Sequence, residues 1–305
     1  MSAIAPAAAP ALTSVLESIG HTPLVRLALR GVPAGVELWG KCEAFNPGGS
    51  VKDRTALSLI EDGERRGLLR PGKTVIDSSS GNTAVGLALV GRARGYDVEL
   101  VMPDSVSLPR QRLCRAYGAR LTLTDAFAGS DGALERVRAL VAARPQDYYY
   151  TDQYRNPANP EAHFRTTGPE IWEQTAGRVT HFVAGLGTTG TITGTGRFLR
   201  QKNPGVRIVA LQPDEPLHGL EGLKHLPSAL VPELYDPAAH DDLVVVSTEE
   251  AHDACHELVS HGLLVGHSAG AAVVAARNVA GGLTSGVVVA LLPDGGERYL
   301  DREPA

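Results

Sequence analysis

Short β-branched runs alternate with helical patterns along most of this 305-residue chain, and few folds accommodate that order. Thr74–Asp77, Val98–Met102, Leu121–Leu123, Tyr148–Tyr150, His181–Ala184, Arg207–Leu211, Val244–Val246 and Val287–Leu292 read as strands. Helices are expected from Thr83 to about Arg94, from about Leu108 to Tyr117 and around Gly132–Ala143. Three more are expected over Thr189–Gln201, Thr248–His261 and Ala269–Ala280. Strand–helix alternation means parallel sheets with helices on both faces, an α/β fold. About nine or ten strands exceed one comfortable sheet, so two doubly wound domains are expected. Pro213 to Asp242 is less regular and reads as a long loop with a short helix, a length that is often functional.

Composition removes several classes. At 43% hydrophobic residues the chain can bury a large core, and a net charge of −5 leaves no global basic footprint for nucleic acid. No apolar run approaches the roughly 20 residues that span a bilayer. Cys42, Cys114 and Cys255 are far apart and lack metal-ligand spacing, which argues for a reducing cytosol and against a disulfide framework or a zinc site. Met1 to Leu12 is Ala- and Pro-rich without the regions of a signal peptide, and reads as a disordered lead-in. A cytoplasmic enzyme is the expectation.

Ligands of open parallel sheets bind at the carboxyl ends of strands, so the chemistry belongs at strand-to-helix junctions. In Asn46–Arg54, turn-forming Asn-Pro and Gly-Gly precede a helix start, with Ser50 and Asp53 reading as a capping box. Lys52 then lies in the first helical turn, where the macrodipole disfavours a cation and favours the neutral, nucleophilic amine. Taken alone it is a solvated lysine. Ser78-Ser79-Ser80-Gly81-Asn82-Thr83 offers hydroxyls, an amide and free N–H groups to a small anion such as a carboxylate, or merely caps a helix. Gly185-Leu186-Gly187-Thr188-Thr189-Gly190-Thr191 suits a phosphate. It also matches the G-x-G-x-x-G dinucleotide fingerprint, with Asp214 or Glu215 about 25 residues on, so by pattern alone an NAD-binding oxidoreductase stays open. In Gly266-His267-Ser268-Ala269-Gly270, Ser268 is an N-cap candidate whose hydroxyl could instead face a ligand.

Taken together, Ile19–Leu27, Asn46–Arg54, Ser80–Thr83, Gln153–Pro160, Gly187–Thr191 and Gly295–Leu300 resemble the cysteine synthase and cystathionine β-synthase family of fold-type II pyridoxal-phosphate enzymes. The resemblance runs from about Ser18 to Leu300. It implies a large domain over 1–45 and 157–305 and a smaller mobile one over 46–156 carrying Lys52. It also implies pyridoxal 5'-phosphate rather than a dinucleotide. Lys52 would carry the cofactor as a Schiff base and move the α-proton. Asn82 would bond its phenolic oxygen, Gly187, Thr188, Thr189, Gly190 and Thr191 its phosphate, and Ser268 its ring nitrogen. Ser79, Ser80, Asn82, Thr83 and Gln153 would hold the substrate carboxylate. A neutral serine at the ring nitrogen favours β-elimination over transamination. The expected reaction is therefore β-replacement, cysteine from O-acetylserine and sulfide. O-phosphoserine, thiosulfate or homocysteine chemistry are the alternatives. A homodimer, and serine acetyltransferase as a partner, are further implications.

Some positions depart from the commonest family pattern. Thr189 stands where a glycine is usual and, with Asp294, resembles the cysteine synthase B subgroup; Ala84 replaces another glycine, and His267 and Ala269 flank Ser268. Gly222-Leu223-Lys224-His225 places Lys224 where the simple enzymes have glycine and B-type enzymes arginine. A cation there could attract an anionic substrate, although lysine lacks arginine's fork.

Overall fold

A computed structural model describes residues 11–300, so the lead-in expected over Met1–Leu12 lies almost wholly outside the described residues. Ten strands are described: β1 (Leu24–Arg26), β2 (Val36–Cys42), β3 (Thr74–Ser78), β4 (Asp97–Pro103), β5 (Arg120–Thr124), β6 (Tyr148–Tyr150), β7 (His181–Gly185), β8 (Arg207–Pro213), β9 (Asp242–Val246) and β10 (Gly286–Leu292). The α-helices are α1 (Lys52–Arg65), α2 (Asn82–Ala93), α3 (Leu108–Ala116), α4 (Gly129–Ala143), α5 (Ala158–Arg165), α6 (Thr167–Gln174), α7 (Gly190–Lys202), α8 (Thr248–Ser260) and α9 (His267–Gly281).

The strands form two sheets, as the strand count requires. A four-stranded parallel sheet runs β5-β4-β3-β6, and a six-stranded sheet runs β1-β2-β10-β7-β8-β9. The larger sheet is parallel except at its edge, where β1 pairs antiparallel with β2, Val25 opposite Gly40. Central strands such as β3 and β10 are buried along nearly their whole length because helices cover both of their faces. The small sheet packs α2 and α3 on one side, in a cluster with Leu87, Leu100 and Cys114, and α4 on the other, through Val137 against Ile76 and Val101. The large sheet has α8 and α9 on one face and α6 and α7 on the other. Alanine-rich α9 is buried from Ser268 to Ala276 because small residues let it approach α8. A Cβ on Gly270 would strike the Ala251 carbonyl.

Every strand and helix expected from the periodicity is present, with boundaries within about three residues. Strands β1 and β2 and helices α5 and α6 lie outside that reading. In β2 the polar Lys41 masks the pattern, since it is fully buried by partners from α6. In α5 the Asn-Pro pairs read as turn signals, yet Pro160 sits in the first helical turn, where its missing N–H costs nothing.

Two capping assignments need correction. The N-cap of α1 is Val51, not Ser50. The backbone of Ser50 instead bridges to Asp294, its hydroxyl accepts from the Lys52 amide at 3.2 Å, and Asp53 reaches back to the Gly48 amide at 2.5 Å. The turn at Gly49, φ 78°, brings Gly48 beneath the helix start and takes the carboxylate away from a capping box. Likewise Gly266 is the N-cap of α9, and Ser268 is a buried residue of its first turn.

Candidate active site

The carboxyl ends of the two sheets face a shared cleft of about 530 Å³. Its lining comes from the junctions after β3, β6, β7 and β8, from the head of α1 and from one face of α4. Of the residues singled out in the sequence, Lys52, Ser79, Ser80, Asn82, Thr83, Gln153, Gly187, Thr188, Gly222 and Lys224 line this cleft. Thr189, Gly190, Thr191 and Ser268 are buried and do not line it.

Lys52 opens α1 and faces the cavity. Burial lowers its ammonium from 10.5 to about 8, while the nearby Asp294 carboxylate pulls the other way. The lysine is thus biased toward the neutral amine, as its position at a helix start suggests, but exclusion from water is the larger cause.

Asn82 is held by the C-terminal motif. Its Nδ2 donates to Asp294 Oδ2 at 2.6 Å, and Arg298 Nη1 donates to its Oδ1 at 3.0 Å. Arg298 also donates to the Gly48 carbonyl, so one guanidinium ties the turn before Lys52 to the helix that carries Asn82. Tyr299 donates to the same Asp294 oxygen at 2.6 Å. Burial raises the Asp294 carboxyl, and these donors offset the effect. At the neighbouring junction, Thr83 donates to Gln153 Oε1 at 2.7 Å. Behind them Asp77 is a fully buried carboxylate at the end of β3. It accepts from the Ser78 amide at 2.7 Å, from the Thr151 hydroxyl, and from the Gln153 amide at 3.4 Å. Burial raises its carboxyl to about 7. Asp77 and Arg298 were missed as site-organising residues. The one available signal for Asp77 was a charged side chain ending an otherwise apolar strand.

The loop after β7 turns sharply into α7. Thr189 adopts a left-handed conformation, φ 68°, at the position where glycine is usual. For a β-branched residue this is strained. The Thr189 hydroxyl is buried, 2% exposed, with no partner among the described residues. A Cβ on Gly187 would overlap the Gly222 carbonyl, and one on Gly190 the Asn159 side chain, so the backbone is packed as closely as glycine allows. An orphaned buried hydroxyl, neighbouring threonines and a helix start with unpaired amides fit a phosphate group. Thr189→Gly is expected to raise the thermal stability of the cofactor-free protein by about 1 kcal/mol while speeding cofactor loss. Differential scanning calorimetry and decay of the visible cofactor band would measure the two effects separately.

Lys224 holds its ammonium over the Tyr154 ring, 5.2 Å from the centroid. Burial lowers its pKa, with Asp131 opposing. Two ties cross the cleft beside it. Arg110 of α3 donates to the Ser80 carbonyl at 3.1 Å and pairs with Glu221 at 3.0 Å. Arg155 pairs with Glu233 at 2.9 Å. Among the described residues, no group of three or more His, Cys, Asp or Glu side chains could hold a metal ion, and no helix is long and apolar enough to cross a membrane.

Two parallel-sheet α/β units that share a cleft, with a lysine at a helix start and a glycine–threonine loop lining it, are an arrangement suited to a pyridoxal-phosphate enzyme. Residues 15–294 match the family of pyridoxal-phosphate dependent enzymes, and the chain belongs to that family. It is 50% identical to a cysteine synthase of Aquifex aeolicus over 295 residues, covering 94% of this chain and 90% of that protein. It is 43% identical to cysteine synthase B of Escherichia coli, covering 95% of each. Among solved structures, the cysteine synthase of Entamoeba histolytica superposes with a TM-score of 0.93 at 33% identity, over 99% of this chain and 93% of that one. The dinucleotide alternative left open by the glycine pattern is thereby set aside.

Proposed function

We propose that this chain is a cysteine synthase, joining sulfide to the β-carbon of O-acetyl-L-serine with loss of acetate. The observation that carries the reading is Lys52, an amine whose pKa burial lowers to about 8, in a cleft that also holds a phosphate-type loop and a carboxylate-type loop. Pyridoxal phosphate, when bound, supplies the electron sink that lets a β-substituent leave an amino acid.

The chain's own groups do the rest. Lys52 would hold the cofactor and then serve as the base, taking and returning a proton at Nζ. With its pKa near 8, about one molecule in ten already has the neutral amine at pH 7. Gly187, Thr188, Thr189, Gly190 and Thr191 would seat the phosphate. Asn82, fixed at both ends of its amide, would bond the phenolic oxygen. Ser268 would meet the ring nitrogen with a hydroxyl, which cannot hold a proton there as a carboxylate would. Ser79, Ser80, Asn82, Thr83 and Gln153 would receive the substrate carboxylate at the start of α2, where amides lack helical partners. A homodimer and a complex with serine acetyltransferase belong to the same reading. So does the cytoplasm as its site of action.

Substrate mixing tests it. Stopped-flow spectra should change on adding O-acetylserine and revert on adding sulfide. A protein that stays unchanged with O-acetylserine but responds to serine and homocysteine would be a cystathionine synthase instead.

The position of Lys224 favours a second substrate. Its ammonium lies at the cleft wall, partly desolvated, where the phosphate of O-phosphoserine or the charge of thiosulfate could meet it. Lys224→Ala should lower kcat/KM for O-phosphoserine by roughly 10-fold and leave O-acetylserine within about 3-fold. Unchanged kinetics for both would remove Lys224 from the site.

A further inference from the structure

Beneath the Gly187–Thr191 loop lies a buried polar layer that the reading above does not use. Asn159 and His163, both fully buried, project from α5 toward it. The orientation of each group in this layer follows from a single backbone carbonyl.

Asn159 Nδ2 lies 2.8 Å from the Gln153 carbonyl and 3.0 Å from Thr188 Oγ1. A carbonyl only accepts, so the atom facing it must be the amide nitrogen. Asn159 therefore donates to Thr188, and its Oδ1 is left to accept from Thr55 Oγ1 at 3.3 Å. A hydroxyl has one proton. Thr55 has given its own to Asn159, so its oxygen meets His163 Nε2, 3.3 Å away, as an acceptor. Nε2 then carries the imidazole proton. The same nitrogen lies 3.2 Å from Thr191 Oγ1, which must accept as well. His163 Nδ1 is left bare and accepts the Thr167 hydroxyl at 2.9 Å. Burial, with Lys52 and Arg54 nearby, holds the His163 pKa well below its ordinary value, consistent with one ring proton.

We propose that Asn159 and His163 are positioning residues that set the polarity of the phosphate loop. By donating to the oxygens of Thr188 and Thr191, they leave both hydroxyl protons for the bound phosphate. A phosphate dianion accepts hydrogen bonds and offers none, so a loop hydroxyl turned inward would present it with a lone pair. The loop then offers two oriented O–H donors, with the Thr189 hydroxyl, unpartnered among the described residues, beside them. The inference rests on the loop being the phosphate seat of a pyridoxal-phosphate enzyme. It gives the Asn156–Pro160 motif a task, since this segment starts the helix that holds the layer.

Two measurements on the holoenzyme test it. Long-range proton–nitrogen NMR on protein labelled with nitrogen-15 histidine should show His163 as the neutral ring protonated at Nε2. A ring protonated at Nδ1, or at both nitrogens, overturns the proposal and leaves the phosphate seat standing. This readout needs no variant and survives any folding defect in one. The second is the rate of cofactor release, followed by the visible band. Asn159→Ala and Thr188→Val should each speed release roughly 10-fold, and the double variant little more than either, because both remove the same oriented donor. Independent effects, multiplying to about 100-fold, overturn the relay. If Thr188→Val leaves release unchanged, the loop is not the phosphate seat, and this proposal falls with that reading.

Discussion

Lys52→Ala should yield a colourless protein whose turnover falls by more than about 1,000-fold, because in the proposed mechanism one side chain would both hold the cofactor and move the proton. The cleft has one other lysine on its wall, Lys224, and that variant should keep its visible band. The pair of spectra distinguishes a lysine bonded to the cofactor from one that only adds charge. Loss of Lys52 should not unfold the cofactor-free chain. Burial lowers this ammonium from 10.5 to about 8, so the charged form is penalised in the folded state. That penalty is fully present below pH 8 and disappears as the pH rises toward 10.5. Lys52→Ala should therefore stabilise the cofactor-free protein by about 1–2 kcal/mol at pH 7, with the gain shrinking toward pH 10. Urea denaturation of both proteins at pH 7 and pH 10 would measure it. Equal stability at both values would mean that the lysine is hydrated in the fold.

Glu170→Ala should be the most destabilising single change, by about 3–5 kcal/mol. Glu170 Oε2 receives Lys41 Nζ at 2.6 Å, and its Oε1 receives Arg54 Nη1 at 2.6 Å. Arg54 in turn meets Glu43 through Nε at 2.7 Å, and Lys41 also donates to the Thr22 carbonyl at 2.6 Å. Side chains of Lys41, Arg54 and Glu43 are all 1% exposed or less. Removing Glu170 leaves two buried cations facing one carboxylate. The thermal midpoint should fall by roughly 5–15 °C. Its two cationic neighbours hold the Glu170 carboxyl down at about 2. A depressed carboxyl contributes stability that is complete above its ordinary value of 4.5 and is lost as the pH falls toward 2. The gap between the wild type and the variant should therefore close only in strong acid. Because Arg54 lies two residues after Lys52 on α1, cofactor retention should weaken in parallel with stability. A midpoint shift below about 2 °C would show that the cluster is hydrated or readily repacked.

The α/β class and the places where chemistry gathers are legible in the amino-acid sequence alone. Alternating apolar runs and helical patterns encode local structure, and the glycine-, serine- and threonine-rich junctions after Asp77 and Ala184 are read within a few residues of each other. The less legible parts depend on distant partners. Lys41 looks like a strand breaker until Glu170 and Gln174 meet it from α6. Ser50 looks like a helix cap until Asp294 pairs with its backbone. Asn159 looks like a turn residue until its amide lies between the Gln153 carbonyl and the Thr188 hydroxyl.

By itself the sequence determined the fold class, the family and the position of Lys52 at a helix start, because periodicity, turn chemistry and short motifs are local properties. Only the tertiary structure decided that the Lys52 ammonium is lowered to about 8 mainly by burial, that Arg298 and Asp294 orient Asn82, and that Asn159 of α5 reaches the Thr188 hydroxyl. These depend on which side chains are excluded from water and on which donor faces which acceptor, and both are set by segments as much as 250 positions apart in the chain.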